Sequence, residues 1–95
     1  MERFLDVEVF FYENARKSPP HGDVYRPHFI ADGTNDYYSG IQFVNLKQAP
    51  FGEHIIAKVQ LIYDEVDYSM FKPNTHFLIK EGARSVGEGI VLKVY

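Results

Sequence analysis

His54-Ile55-Ile56-Ala57-Lys58-Val59-Gln60-Leu61-Ile62-Tyr63-Asp64 carries the clearest period-two pattern in the chain. Ile55, Ala57, Val59, Leu61 and Tyr63 fall on one side, with Lys58, Gln60 and Asp64 on the other. Alternation of this kind puts successive side chains on opposite faces of an extended backbone, so the segment predicts a strand with one buried face. Working outward, Phe4 to Tyr12 repeats the pattern, with Leu5, Val7, Val9 and Phe11 set against Asp6 and Glu8. Residues 24–31 predict a short strand in which Pro27 cannot donate to a ladder, a position suited to an edge or a bulge. Tyr37 to Leu46 predicts another, with Gly40 a candidate bulge or close backbone approach. Residues 75–80 and 89–95 complete six.

The connections are read from their turn chemistry. Asn14 to Asp23 gathers polar residues with Pro19, Pro20 and Gly22 and predicts a long exposed loop. Asp32 to Asp36 and Pro50-Phe51-Gly52 predict turns, and Glu65 to Asn74 a loop with room for a short helical turn. Glu81 to Glu88 is punctuated by glycine, and Gly87-Glu88-Gly89 reads as a tight turn or bulge. Six short strands without an amphipathic helix predict an all-β fold, and closure into a barrel would remove the exposed edges of so small a sheet. The expected fold is a six-stranded antiparallel closed β-barrel, one domain over residues 1–95.

Composition narrows the function. The 95 residues include eight Phe and seven Tyr but no Trp, a heavy aromatic load suited to closing a small core. Ten Lys and Arg against thirteen Asp and Glu leave a net charge of −3, which argues against general polyanion binding but allows a local basic patch. Cysteine is absent, excluding disulfides, thiolate metal sites and a Cys nucleophile. No segment has the length of apolar chain that spans a bilayer, and residues 1–6 lack the pattern of a signal peptide. The expected location is the cytoplasm, with no membrane partner.

The search for chemistry returns little. No phosphate-cradling Gly-x-x-x-x-Gly-Lys-Ser/Thr motif occurs, so no nucleotide site is expected. His21, His28, His54 and His76 lack metal-ligand spacing, and the carboxylates Asp64, Glu65 and Asp67 read as a solvated loop. No serine sits in a nucleophile elbow. The expectation is a protein without catalytic activity, metal or cofactor. Arg16, Lys17, Arg26, Lys80, Arg84 and Lys93 are candidates for a phosphate-binding patch if the fold gathers them. Tyr12, Tyr37, Tyr38, Tyr68 and Phe71 are candidates for base stacking or for barrel cover.

Two segments are less generic. Val24-Tyr25-Arg26-Pro27-His28-Phe29 resembles the Gly-Tyr-Arg-Pro-Gln-Phe segment in the C-terminal (third) domain of bacterial elongation factor Tu. The stretch His76 to Val94, containing Glu81-Gly82-Ala83-Arg84-Ser85-Val86-Gly87-Glu88-Gly89, resembles that domain's closing segment without a gap. The resemblance extends over essentially the whole chain. It implies a six-stranded antiparallel barrel standing without the GTPase domain, and therefore no GTP binding or hydrolysis.

In that family the domain touches the T stem of aminoacyl-tRNA, the nucleotide-exchange factor and its own GTPase domain. The resemblance implies RNA-facing positions at Lys17, His28, Ser39, Tyr63, Glu81 and Gly82. Lys17 stands for an arginine, Ser39 for a threonine beside Gly40, and His28 for a glutamine, while Glu81 and Gly82 are unchanged. Tyr63 falls where a basic or imidazole group is usual, and Ala83 replaces a glycine. The implied function is a non-catalytic translation-factor-like module docking on tRNA or another structured RNA. The alternative is a protein-interaction module with a translation-related or other protein partner.

Overall fold

A computed structural model describes residues 3–20, 25–34, 37–47 and 49–95. The chain forms six strands: β1 (Phe4–Phe11), β2 (His28–Ala31), β3 (Ser39–Phe43), β4 (His54–Leu61), β5 (His76–Glu81) and β6 (Arg84–Val94). All pairings are antiparallel, and the order β1-β4-β3-β2-β5-β6 closes through β1 and β6 into a barrel. This is the expected all-β architecture.

Alternation carries the core inward. Leu5, Val7, Val9 and Phe11 of β1 are fully buried, as are Ile41 and Phe43 of β3 and Val59 of β4. Phe29 stacks on Phe77 at 4.0 Å between ring centres, and Phe43 meets Phe29 edge-on at 6.0 Å. Tyr68 and Phe71, from the β4–β5 connection, are buried at one mouth of the barrel. Leu46 and Ala49, from the β3–β4 connection, are buried at the other. The interior is thus filled by side chains rather than left as a channel.

Several boundaries differ from the sequence reading. The β5–β6 turn spans only Glu81 to Arg84, so β6 begins well before residue 89, and Gly87 and Gly89 lie within it, Gly87 at a register shift beside Ile79/Lys80. Both glycines face large interior partners. A Cβ on Gly89 would stand 2.5 Å from the Phe77 ring, and one on Gly87 would stand 2.5 Å from the Phe10 carbonyl oxygen. Two register shifts, beside Ile79/Lys80 and Asp6/Val7, bend this long strand around the barrel.

β2 begins at His28, not at residue 24, yet the Pro27 and Tyr25 carbonyls still accept from Ile41 and Phe43. Pro27 therefore sits where only its acceptor is needed. β4 ends at Leu61, which turns Tyr63 out of the core. Residues 65–74 form successive turns without helix. The loop after β1 is not wholly exposed, since Pro20 is buried and Ala15 packs on the core.

Candidate nucleic-acid interface

Register decides which distant residues share a surface. Because Phe29 points inward, its neighbour His28 points out, opposite Lys80 of β5 and Gly40 of β3. Gly40 is outward too, and a Cβ there would fall on the Tyr63 ring. The absent side chain lets that ring lie over the strand. Beneath it, the Tyr68 hydroxyl donates to the Gly40 carbonyl at 2.5 Å. Tyr38 stands edge-on to His28 at 5.7 Å. His28, Tyr38 and Tyr63 thus present rings around one glycine.

The strip continues along β5 to its turn. Lys80 Nζ donates to Ser85 Oγ at 3.0 Å. The Tyr25 hydroxyl donates to Glu81 Oε2 at 2.5 Å, and Arg16 Nη1 lies 3.1 Å from the same oxygen. The Arg16 guanidinium also sits over the Tyr25 ring, 5.2 Å from its centre. Its Nε and Nη1 are shielded from water without an aligned hydrogen bond. Charge and ring contact, rather than bond direction, hold it there. Burial, reinforced by the bond to Glu81 and opposed by Arg16, pushes the Tyr25 phenol well above its usual range.

Arg84 Nη1 donates to the Ala15 carbonyl at 3.0 Å and ties the first loop to the turn. Lys17 is exposed one residue beyond Arg16. At the other side of β2, Arg26 Nε donates to Gln42 Oε1 at 3.0 Å. Lys17, Arg84, Lys80, His28 and Arg26 therefore line one flank of the barrel. Glu81, already engaged by Tyr25 and Arg16, lies among them. Among the described residues both of these contacts use Oε2.

Five of the six positions implied by the resemblance lie along this flank: Lys17, His28, Tyr63, Glu81 and Gly82. Ser39 does not. It alternates inward with Ile41 and Phe43, is 0% exposed, and its hydroxyl has no hydrogen-bond partner among the described residues, so it offers nothing at the surface. Of the basic candidates, Lys93 is elsewhere: with Lys58 it lies against the Tyr95 ring beside Asp6, at 4.7 and 4.4 Å.

Tyr68 and Phe71 are core residues and unavailable for stacking, while Tyr12 donates to Glu88 Oε1 at 2.8 Å. Tyr37 and Tyr38 are exposed, and the Tyr37 oxygen accepts from Asp67 N at 3.3 Å. Asp67 accepts from the Ser69 backbone N–H at 2.9 Å, which holds its carboxyl below the usual range. Among the described residues no group of three or more His, Cys, Asp and Glu is placed to hold a metal ion. His21 lies outside the described residues.

Tyr25 and the Gly40–Tyr63 pairing escaped the sequence reading. Tyr25 stood inside a segment read only as strand, and nothing local announces a partner at Glu81. Gly40 did signal a close approach, but the approaching group is a ring rather than backbone.

No family model and no curated protein match the sequence.

Proposed function

We propose that the flank carrying Lys17, Arg26, His28, Lys80 and Arg84 docks on a structured RNA, tRNA being the first candidate. The observation that carries this reading is register together with contact: His28 pairs with Lys80, and Arg84–Ala15 and Arg16–Glu81 contacts tie the first loop to the β5–β6 turn, so Lys17, Lys80 and Arg84 share one face of a protein whose net charge is −3. Lysine and arginine gathered on one face pair with backbone phosphates and release counterions on contact. The Glu81 carboxylate, beside these cations, is an acceptor for a ribose 2′-hydroxyl donor, the group that distinguishes RNA from DNA. The rings of Tyr63, Tyr38 and His28 provide faces on which an unpaired base can stack.

The resemblance of residues 24–29 and 76–94 to the third domain of elongation factor Tu supports the same reading, and with it a translation-factor-like, non-catalytic role in the cytoplasm. Titrating the protein with total tRNA at about 50 mM and about 200 mM salt tests it. Four phosphate contacts predict a salt slope of about 3 and a loss of affinity of about a hundredfold over that range. Absence of saturable binding at the lower salt overturns it.

One observation favours protein partners on the opposite flank. Ile56 is 72% exposed on β4, and Val44, which lines the same cleft, is exposed as well. A cleft of about 300 Å³ opens beside it, lined by Val44, Leu46 and Ile55 among others. Exposed apolar side chains gathered in this way are a feature of protein contact surfaces.

A further inference from the structure

The outer face of β4, β1, β6 and β5 forms a grid of cross-strand rows. One row reads His54, Phe10, Glu88, Leu78, and the next reads Ile56, Glu8, Ile90, His76. Glu8 and Glu88 therefore occupy one diagonal of a square whose other diagonal is Phe10 and Ile90. A cleft of about 210 Å³ opens there, floored by Phe10 and Ile90 and bounded by both carboxylates and by His54 and His76. Phe10 and His54 place their rings 4.9 Å apart at its edge.

The neighbouring row shows what is missing. Asp6 receives Lys58 Nζ at 3.8 Å and the Tyr95 hydroxyl at 2.5 Å. Its charge is answered within the chain. Among the described residues Glu8 has one ion-pair partner, His54 Nδ1 at 3.7 Å, charged when the imidazole is protonated. Glu88 accepts from the neutral Tyr12 hydroxyl. Glu8 and Glu88 thus both line an aromatic-floored cleft, with no lysine or arginine among the described residues at ion-pair distance from either.

We infer that this cleft receives an arginine or lysine side chain of a protein partner, in a segment that also carries apolar residues. A cation between two carboxylates and over the Phe10 face gains both Coulomb attraction and cation–π contact. Apolar neighbours on the same segment would cover Ile56 and Leu78, both exposed at the rim. Closure of the barrel leaves no strand edge for main-chain pairing, so recognition on this face must run through side chains. The inference stands apart from the RNA reading, which uses Lys80 and the turn at the other end of β5.

The test is an NMR titration of the wild-type protein with the peptide acetyl-Gly-Leu-Arg-Leu-Gly-amide, read at the amides of Phe10, Glu88 and Gly89. Saturable shifts are expected, and the same peptide with neutral citrulline for arginine should bind about tenfold more weakly. Glu8→Gln combined with Glu88→Gln, checked for an otherwise unchanged amide spectrum, should weaken the arginine peptide by about the same factor. Equal binding of the citrulline peptide, or no shift at these amides, overturns the inference without recourse to any variant. Argininamide binding as tightly as the peptide would also overturn it, because the cleft would then serve a small cation and not a partner segment.

Discussion

The two flanks of the barrel share one core and differ in what they show to water. Around the His28–Lys80 pair of β2 and β5 the outward side chains include Arg26 just before β2, with Lys17 and Arg84 near the β5–β6 turn. Along β1, β4 and β6 Glu8 and Glu88 stand among Phe10, His54, Ile56 and Ile90, while Asp6 is flanked by Lys58 and Lys93. A net charge of −3 averages these faces and describes neither. Closure of the barrel frees both flanks from main-chain pairing, so each is specified by side chains alone. A phosphate backbone suits the first flank and a basic, apolar protein segment the second.

The largest perturbation should abolish the contrast altogether. Phe29 stacks on Phe77 at the centre of the shared core, and Phe29→Ala should cost about 3–5 kcal/mol in urea unfolding followed by tyrosine fluorescence. Both flanks should lose their binding in one transition, since one core supports both. Next in size, Lys80→Glu with Arg84→Glu should lower the tRNA salt slope by about two, and Lys17→Glu alone by about one. Peptide binding on the carboxylate flank should stay unchanged; a fall there would break the independence of the two faces.

Smaller effects sharpen the picture. Tyr12 is pushed up to about 12, by burial first and then by its bond and charge contact with Glu88. A phenol raised in the folded protein stabilises it fully below pH 10, and this contribution is lost as pH climbs from about 10 to about 12. Alkaline titration of phenolate absorbance, compared with Tyr12→Phe, should show that late ionisation disappear. The smallest change is expected at Ser39, whose buried hydroxyl has no hydrogen-bond partner among the described residues. Ser39→Ala removes that unpaired group at nearly constant volume, and should stabilise the protein by up to about 1 kcal/mol in thermal unfolding and leave RNA affinity intact. A tenfold loss of RNA affinity would put that serine in contact with the ligand after all.

Much of the fold was legible because alternation is a local property. Leu5, Val7, Val9 and Phe11 announce an inward face without reference to anything distant. Local signals that mean two things are harder to read. Gly87-Glu88-Gly89 fits a tight turn or a bulge; the register shifts beside it, and both glycines leave room opposite Phe11 and Phe77. Tyr63 continues the β4 alternation in sequence, but the strand ends at Leu61 and the ring turns out over Gly40. Ser39 shares the parity of Ile41 and Phe43 and is buried with them.

The candidate sites were far less legible. His28 meets Lys80, and Phe10 meets both His54 and Glu88, only through cross-strand register. Four histidines read singly as isolated imidazoles, but two of them border one cleft.

The most direct measurement is a map of amide shifts on the isotopically labelled protein as tRNA is added at low salt. Shifts concentrated at Arg26, His28, Lys80 and Gly82, with Glu8, Phe10 and Gly89 unmoved, are the predicted result. Shifts confined to Glu8, Phe10 and Gly89, or spread evenly over both flanks, would contradict the assignment of the basic flank to RNA.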